Sequence, residues 1–155
     1  MRIFKIVLVC LALVFVLIQF VRIDRSNPTI DPSRTIESVV NVPAEIQQIM
    51  SRSCNDCHSN KTIYPWYTQI APVSWWLRDH IDHGREHLNM SEYGGYTPRQ
   101  QEHKLEEICE QVESGLMPLP SYLIMHRDAA LSEDDQKAIC DWANAERAKF
   151  PRAVK

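Results

Sequence analysis

Cys54-Asn55-Asp56-Cys57-His58 is the stretch that decides how the rest of the sequence is interpreted. Its pattern, C-x-x-C-H, is typical of the place where a c-type haem is attached. The two thiols can add to the two vinyl groups of one haem, and the following histidine can bind the iron. A zinc site or a redox dithiol would use the same C-x-x-C letters, but no second C-x-x-C and no βαβ pattern accompanies them. The motif therefore predicts one haem c, attached through Cys54 and Cys57 and ligated by His58.

The N-terminal segment is strongly apolar. Residues 6–18 form an unbroken apolar run with basic residues before it. About 20 apolar residues span a bilayer, and residues 3–23 just reach that length, so the pattern predicts a signal-anchor transmembrane helix over residues 1–23. Signal cleavage is the alternative, although the run does not end in an A-x-A pattern. The expected location is the bacterial inner membrane, single-pass, with the haem domain in the periplasm.

The remaining chain divides by composition. Residues 24–42 are rich in Ser, Asp and Pro and predict a linker, residues 43–150 a single haem-binding domain, and residues 151–155 a tail. The formal net charge is −3, and all acidic residues follow residue 23. An acidic domain gives no support for a nucleic-acid partner.

Helical periodicity dominates the domain, and no alternating β pattern appears. Helix starts are marked by Pro43, Pro72, the capping box Thr97-Pro98-Arg99-Gln100 and Ser132, and helix ends by Gly115 and Pro151. The sequence predicts an all-α domain of four or five helices. Cys109 and Cys140 form an even pair on two of these helices, either as a disulfide or as two small apolar residues.

Two groups of residues are candidates for the wall of the haem pocket. Trp66 and Tyr67 belong to an aromatic cluster shortly after the motif, and large flat side chains suit a porphyrin. His80 lies on the apolar face of the helix predicted to begin near residue 73, together with Gly84, which would permit another group to approach closely. The alternative for Trp66 and Tyr67 is an ordinary core cluster, and the alternative for His80 is a core histidine.

The sixth position on the iron decides the function, because an electron carrier closes it with Met or His and an enzyme or sensor leaves it open. Met117 is the first candidate, since it follows the helix end at Gly115 in a proline-rich loop. A buried loop anchor is the alternative for Met117. His80 is the main competitor, and His126 is a further one. The sequence therefore predicts His58 and Met117 as iron ligands.

The order of these motifs resembles the class I c-type cytochromes, and more specifically the bacterial haem-binding domain family. The matching residues are Cys54-Asn55-Asp56-Cys57-His58-Ser59-Asn60, Pro65-Trp66-Tyr67, Ala71-Pro72-Val73-Ser74-Trp75, His80, Gly84-Arg85, Leu88-Asn89, Ser91, Gly115-Leu116-Met117-Pro118, Tyr122, His126 and Leu131-Ser132. The resemblance implies a class I cytochrome c-like helical domain around a covalent haem. It contains His80 and His126 as well as Met117, so it leaves the sixth ligand open.

We expect a membrane-anchored periplasmic cytochrome that transfers single electrons to a redox partner protein in or at the membrane, with residues 3–23 in the membrane. The alternative is a haem enzyme or sensor, peroxidase-like or gas-binding, whose sixth iron position is open or labile. An electron-transfer protein would not be an enzyme in its own right.

Overall fold

The computed structural model describes residues 1–151 of the 155-residue chain, so the predicted tail lies outside the described residues except for Pro151. The described residues contain eight α-helices and no β-strand. The α-helices are α1 (Arg2–Ile18), α2 (Ile36–Val39), α3 (Ala44–Ser53), α4 (Asn55–His58), α5 (Val73–His87), α6 (Pro98–Glu113), α7 (Pro120–Leu123) and α8 (Glu133–Arg147). Short 3-10 helices are found at Pro32–Arg34, Trp66–Gln69, Tyr93–Gly95 and Arg127–Ala129.

The predicted transmembrane helix over residues 1–23 requires correction. Within residues 1–151, no helix combines the length and the apolar character needed to cross a membrane. The 17-residue α1 ends before Gln19, whose side-chain amide donates to the Ala71 carbonyl at 3.0 Å while its oxygen accepts from the Ala71 N–H at 2.9 Å. These contacts hold the end of α1 against the domain, and α1 itself, at 17 residues, is shorter than the roughly 20 residues that usually span a bilayer. The expected all-α class is confirmed, but the membrane helix is wrong, and seven α-helices follow α1 among the described residues where four or five were expected.

The segment between α1 and α3 packs on the domain, although a linker was predicted over residues 24–42. Ile36 is only 2% exposed and Val42 is also buried, so both contribute to the core. Nearer to α1, the Arg78 guanidinium donates to the backbone carbonyl of Asp24 at 2.9 Å. The apolar spacing in this segment is too short to be distinguished in the sequence from a solvated tether.

Helices α6 and α8 pack along each other and together contribute seven of the fifteen buried residues of the core. A disulfide joins Cys109 of α6 to Cys140 of α8, with an S–S distance of 2.11 Å. The sequence left this pairing open, and the packing of the two helices places the thiols together. The buried core residues are Ile36, Val40, Val42, Ile46, Ile49, Met50, Met90, Tyr93, Leu105, Cys109, Val112, Ile139, Cys140, Trp142 and Ala143.

Helices α6 and α8 both begin as the sequence predicts. Thr97 and Gln100 form a reciprocal capping box at the start of α6, and Ser132 and Asp135 do the same for α8. Each box satisfies backbone N–H groups that the first helical turn leaves without a partner.

Candidate haem site

A cavity of about 600 Å³ opens beside this core. Its volume falls within the range of roughly 300–1,000 Å³ that is usual for pockets holding a small ligand or cofactor. The cavity is lined by Met50, Ser53, Cys54, Asp56, Cys57, His58, Asp79, His80, His83, Gly84, His87, Leu88, Met90, Lys104, Glu107, Ile108, Gln111, Val112, Met117, Pro118, Leu119 and Tyr122. The side chains that the sequence assigned to a haem therefore share this cavity with an apolar wall from α6.

The C-x-x-C-H motif forms a single helical turn at the cavity wall. The N–H of His58 donates to the Cys54 carbonyl at 2.9 Å, and this turn brings both cysteines and the histidine to the same cavity. Cys54 and Cys57 carry free thiols. Burial raises the pKa of Cys54 to about 12 and that of Cys57 to about 11, so both sulfurs remain protonated at neutral pH.

The imidazole of His58 is held by hydrogen bonds on one nitrogen only. Its Nδ1 donates to the backbone carbonyls of Gly84 at 2.9 Å and Leu88 at 3.1 Å. Carbonyl oxygens only accept, so Nδ1 carries the proton and Nε2 keeps its lone pair. Burial also lowers the pKa of His58, which favours the neutral ring. A histidine with one nitrogen fixed by a carbonyl and the other free is the usual state of a metal ligand, so the site fits a haem iron.

Gly84 permits α5 to lie directly against the motif. A Cβ at position 84 would lie 2.7 Å from the carbonyl oxygen of Cys57 and 3.1 Å from its Cβ. A carbon that cannot form a hydrogen bond does not approach a carbonyl oxygen to 2.7 Å, so a larger residue would push α5 away from α4. The absence of a side chain at 84 is therefore what keeps the two carbonyl acceptors within reach of His58.

The loop that carries Met117 is fixed to the end of α6. Gly115 has a φ of +68°, the left-handed conformation that glycine adopts without steric cost. It closes the helix in a Schellman motif, in which the N–H groups of Gly115 and Leu116 donate to the carbonyls of Val112 and Gln111. The N–H of Met117 also donates to the Gln111 carbonyl, at 3.1 Å. Met117 is thereby placed in the cavity lining, half-buried.

A hydrogen bond joins the motif to the chain that follows Met117. The Tyr122 hydroxyl donates to Oδ2 of Asp56 at 2.8 Å, and both residues line the cavity. Burial raises the pKa of Tyr122, and the negative charge of Asp56 adds to this effect. This pairing could not be predicted from the sequence, because the two middle positions of a C-x-x-C-H motif accept many residue types.

The other predicted pocket residues have different positions. His80 lies in the lining, where its Nδ1 donates to the Trp76 carbonyl at 2.9 Å and its ring packs on Trp76. Trp66 and Tyr67 are absent from the lining, and the Trp66 side chain is 67% exposed. His126 also lies outside it, with Nε2 at 3.3 Å from the Tyr67 hydroxyl. The structure thus brings His58, Met117 and His80 to one cavity. Trp66, Tyr67 and His126 do not line that cavity.

The apolar wall from α6 was not predicted as part of the site. Ile108 and Val112 line the cavity one turn apart. Their helical spacing was visible in the sequence, but apolar spacing alone does not separate a helix that packs on a cofactor from one that packs on other helices.

This fold and this cavity define a small, all-helical haem-binding protein. A family model described as a haem-binding domain matches residues 13–145, and the chain belongs to that family. No curated protein and no solved structure shows significant similarity to the chain. The likeness to class I cytochromes therefore rests on the order of the sequence motifs.

Proposed function

We propose that the haem is attached covalently, through thioethers to Cys54 and Cys57. Each S–H would add across one vinyl C=C, with the sulfur bonding to one carbon and the hydrogen to the other, so nothing is lost and no oxidant is required. The two sulfurs lie in one helical turn at the cavity and are free, which supports this attachment. His58 would then be the proximal ligand, through the nitrogen that makes no hydrogen bond among the described residues.

We further propose that the protein is a single-electron carrier. Haem iron changes between its ferrous and ferric states, so the group can hold and release one electron. The observation that carries this proposal is the shared cavity of His58 and Met117, because a histidine and a methionine would together hold the iron and favour electron transfer over chemistry at the iron.

The proposed compartment is the bacterial periplasm, and the proposed partner is another redox protein. The Cys109–Cys140 disulfide supports an oxidising compartment, where such bonds persist. The acidic character of residues 24–151 would suit a partner with a basic docking surface.

Covalent attachment is tested by denaturing extraction of the chain produced with a haem-attachment system. We expect the haem absorbance to remain with the polypeptide, and to be lost from a Cys54→Ala/Cys57→Ala variant. Cys10→Ser is the matched control, because Cys10 is an exposed cysteine of α1 and makes no part of the site. Haem that is extracted equally from all three chains would contradict the thioethers.

The sixth ligand is tested with Met117→Ala. We expect loss of the weak sulfur-to-iron absorption band of the ferric protein and a change towards high-spin iron. Met125→Ala is the control, because the Met125 side chain is 56% exposed and does not line the cavity. An unchanged ferric spectrum in Met117→Ala would exclude Met117 as a ligand.

A second candidate function, a haem enzyme or sensor with a labile sixth position, is favoured by one observation. Three histidines of α5 line the cavity, namely His80, His83 and His87. A histidine near an open iron position can act as an acid or base on a bound ligand. This candidate predicts high-spin ferric iron in the unmodified protein and rapid binding of cyanide.

A further inference from the structure

The cavity separates two pairs of packed helices. Helix α4 packs on α5, and α6 packs on α8. His58 belongs to the first pair, whereas the Met117 loop continues from the second. A contact between the Met117 loop and α4 therefore joins the two sides of the cavity, and it restrains the two proposed iron ligands relative to each other.

One polar contact of this kind reaches the cavity directly. Oδ2 of Asp56 accepts from the Tyr122 hydroxyl at 2.8 Å, between residues 66 positions apart in the chain. The carboxylate is itself held in place, since its Oδ1 accepts from the N–H of Ile63 at 2.9 Å and the Asp56 carbonyl accepts from Thr62 at 2.6 Å. A tyrosine donating to an immobilised carboxylate makes a charge-assisted hydrogen bond, which is stronger than a neutral one.

Tyr122 is well placed to restrain Met117. Only five positions separate them, and two of the intervening positions, Pro118 and Pro120, have φ angles fixed by their rings. The Tyr122 ring is further supported by His126, which stacks on it with ring centroids 4.1 Å apart. Fixing the Tyr122 hydroxyl therefore limits the movement of the whole loop.

We propose that the Tyr122–Asp56 hydrogen bond is a latch that holds the Met117 loop over the haem and sets how readily an external ligand reaches the iron. Tyr122 acts here as a positioning residue, through Met117. The proposal rests on the proposed function, in which Met117 is the sixth ligand. It also connects the two candidate functions, because a closed latch corresponds to an electron carrier and an open one to a labile sixth position.

The test measures cyanide binding to the ferric, haem-loaded full chain by stopped-flow absorbance. Tyr122→Phe removes one hydroxyl and keeps the ring. We expect the observed rate to rise roughly 10- to 100-fold, because a hydrogen bond to a charged group contributes to the closed state on that scale. The sulfur-to-iron band should weaken in parallel, which a change in general stability would not produce. Tyr64→Phe is the matched control, since the Tyr64 hydroxyl is buried without a hydrogen-bond partner among the described residues.

Met117→Ala distinguishes failure of the latch from failure of the proposed function. If Met117→Ala accelerates cyanide binding but Tyr122→Phe behaves like Tyr64→Phe, the latch is wrong and the ligand assignment stands. If Met117→Ala changes neither the spectrum nor the rate, the ligand assignment is wrong and the latch fails with it. Asp56→Asn tests the other partner of the hydrogen bond. The double variant Asp56→Asn/Tyr122→Phe should bind cyanide no faster than the faster of the two single variants. Additive accelerations in the double variant would overturn the coupling.

Discussion

Gly84 supports His58 in two ways at once: its carbonyl oxygen accepts a hydrogen bond from the imidazole Nδ1–H at an N–O distance of 2.9 Å, and its missing side chain leaves room for the adjacent Cys57. The same backbone position thus sets the orientation of the proposed iron ligand and the distance between α4 and α5. A second carbonyl, from Leu88 one turn later, completes the support. The geometry of the ligand therefore depends on the packing of α5 more than on the motif itself.

Gly84→Ala should destabilise the protein and impair haem binding. The added methyl would lie 2.7 Å from the Cys57 carbonyl oxygen, so α5 must shift and weaken both bonds to His58. Overpacking of this kind costs about 1–3 kcal/mol in the free energy of unfolding. Urea denaturation and the haem-to-protein absorbance ratio measure the two effects.

Glu86→Ala is the control for this variant, because Glu86 is an exposed residue of the same helix. It should leave both quantities close to those of the unmodified chain. Equal haem loading and equal stability in Gly84→Ala and Glu86→Ala would show that α5 does not need to approach the motif so closely.

Met117→His should lower the reduction potential while keeping the iron low-spin. Methionine ligation favours the ferrous state, and axial-ligand identity helps to set haem potentials over a span of about 0.8 V, so we expect a decrease on the order of 100 mV or more. Spectroelectrochemical titration measures the shift. Met125→His, at an exposed position outside the cavity, should leave the potential unchanged. A potential that moves equally in both variants would indicate a non-specific effect of the added histidine.

Removing the disulfide should lower stability without removing the haem. The bond closes a loop with a sequence separation of 31 residues, for which the chain-entropy account gives about 3–4 kcal/mol. Urea denaturation of Cys109→Ser/Cys140→Ser should show this loss, whereas Cys10→Ser should behave as the unmodified chain. A double variant as stable as the parent would mean that the packing of α6 on α8 suffices without the bond.

Asp135 should make the stability depend on pH in the acidic range. Burial alone would raise its pKa, but hydrogen bonds from Ser132 and Arg52 outweigh this and hold the pKa below the ordinary value of 3.8. The unfolded carboxylate thus takes up its proton first, so the stabilisation is complete well above pH 3.8 and is lost as the pH falls through the lower, folded value.

Asp135→Asn should therefore cost about 1–2 kcal/mol at pH 6, with a smaller difference from the parent at low pH. Hydrogen bonds to a charged group contribute about 1.5–3 kcal/mol, and the partial exposure of Asp135 reduces this. Denaturation at several pH values measures this, and Asp134→Asn in the same helical turn is the control. If the difference in the free energy of unfolding between this variant and the parent stayed constant at low pH, the effect would be due to geometry and not to charge.

The local features of this chain could be predicted from its sequence. The Thr97 and Ser132 helix starts and the helix end at Gly115 depend on residues within a few positions of each other, and the structure contains each of them. Local hydrogen bonding and backbone sterics decide such features, so they can be predicted from neighbouring residues in the sequence.

Features that depend on contacts between distant residues could not be predicted from the sequence. The end of the N-terminal helix contacts the domain through Gln19 and Ala71, 52 positions apart, and the hydropathy of the sequence does not indicate this contact. Trp66 is a residue type that suits a haem pocket, yet it is 67% exposed and does not line the cavity. Periodicity reports which side of an element is apolar, but it does not report what that side meets.

By itself, the sequence determined the haem motif, the helical character of the domain and the candidates His58, Met117 and His80. Only the tertiary structure decided which nitrogen of His58 is free, that Cys109 pairs with Cys140, and that Tyr122 reaches Asp56. The physical reason is that each of these outcomes is a contact between groups 26 to 66 positions apart, fixed by helix packing. Such contacts form because the folded core has already placed their partners together, and no neighbouring residue in the chain specifies them.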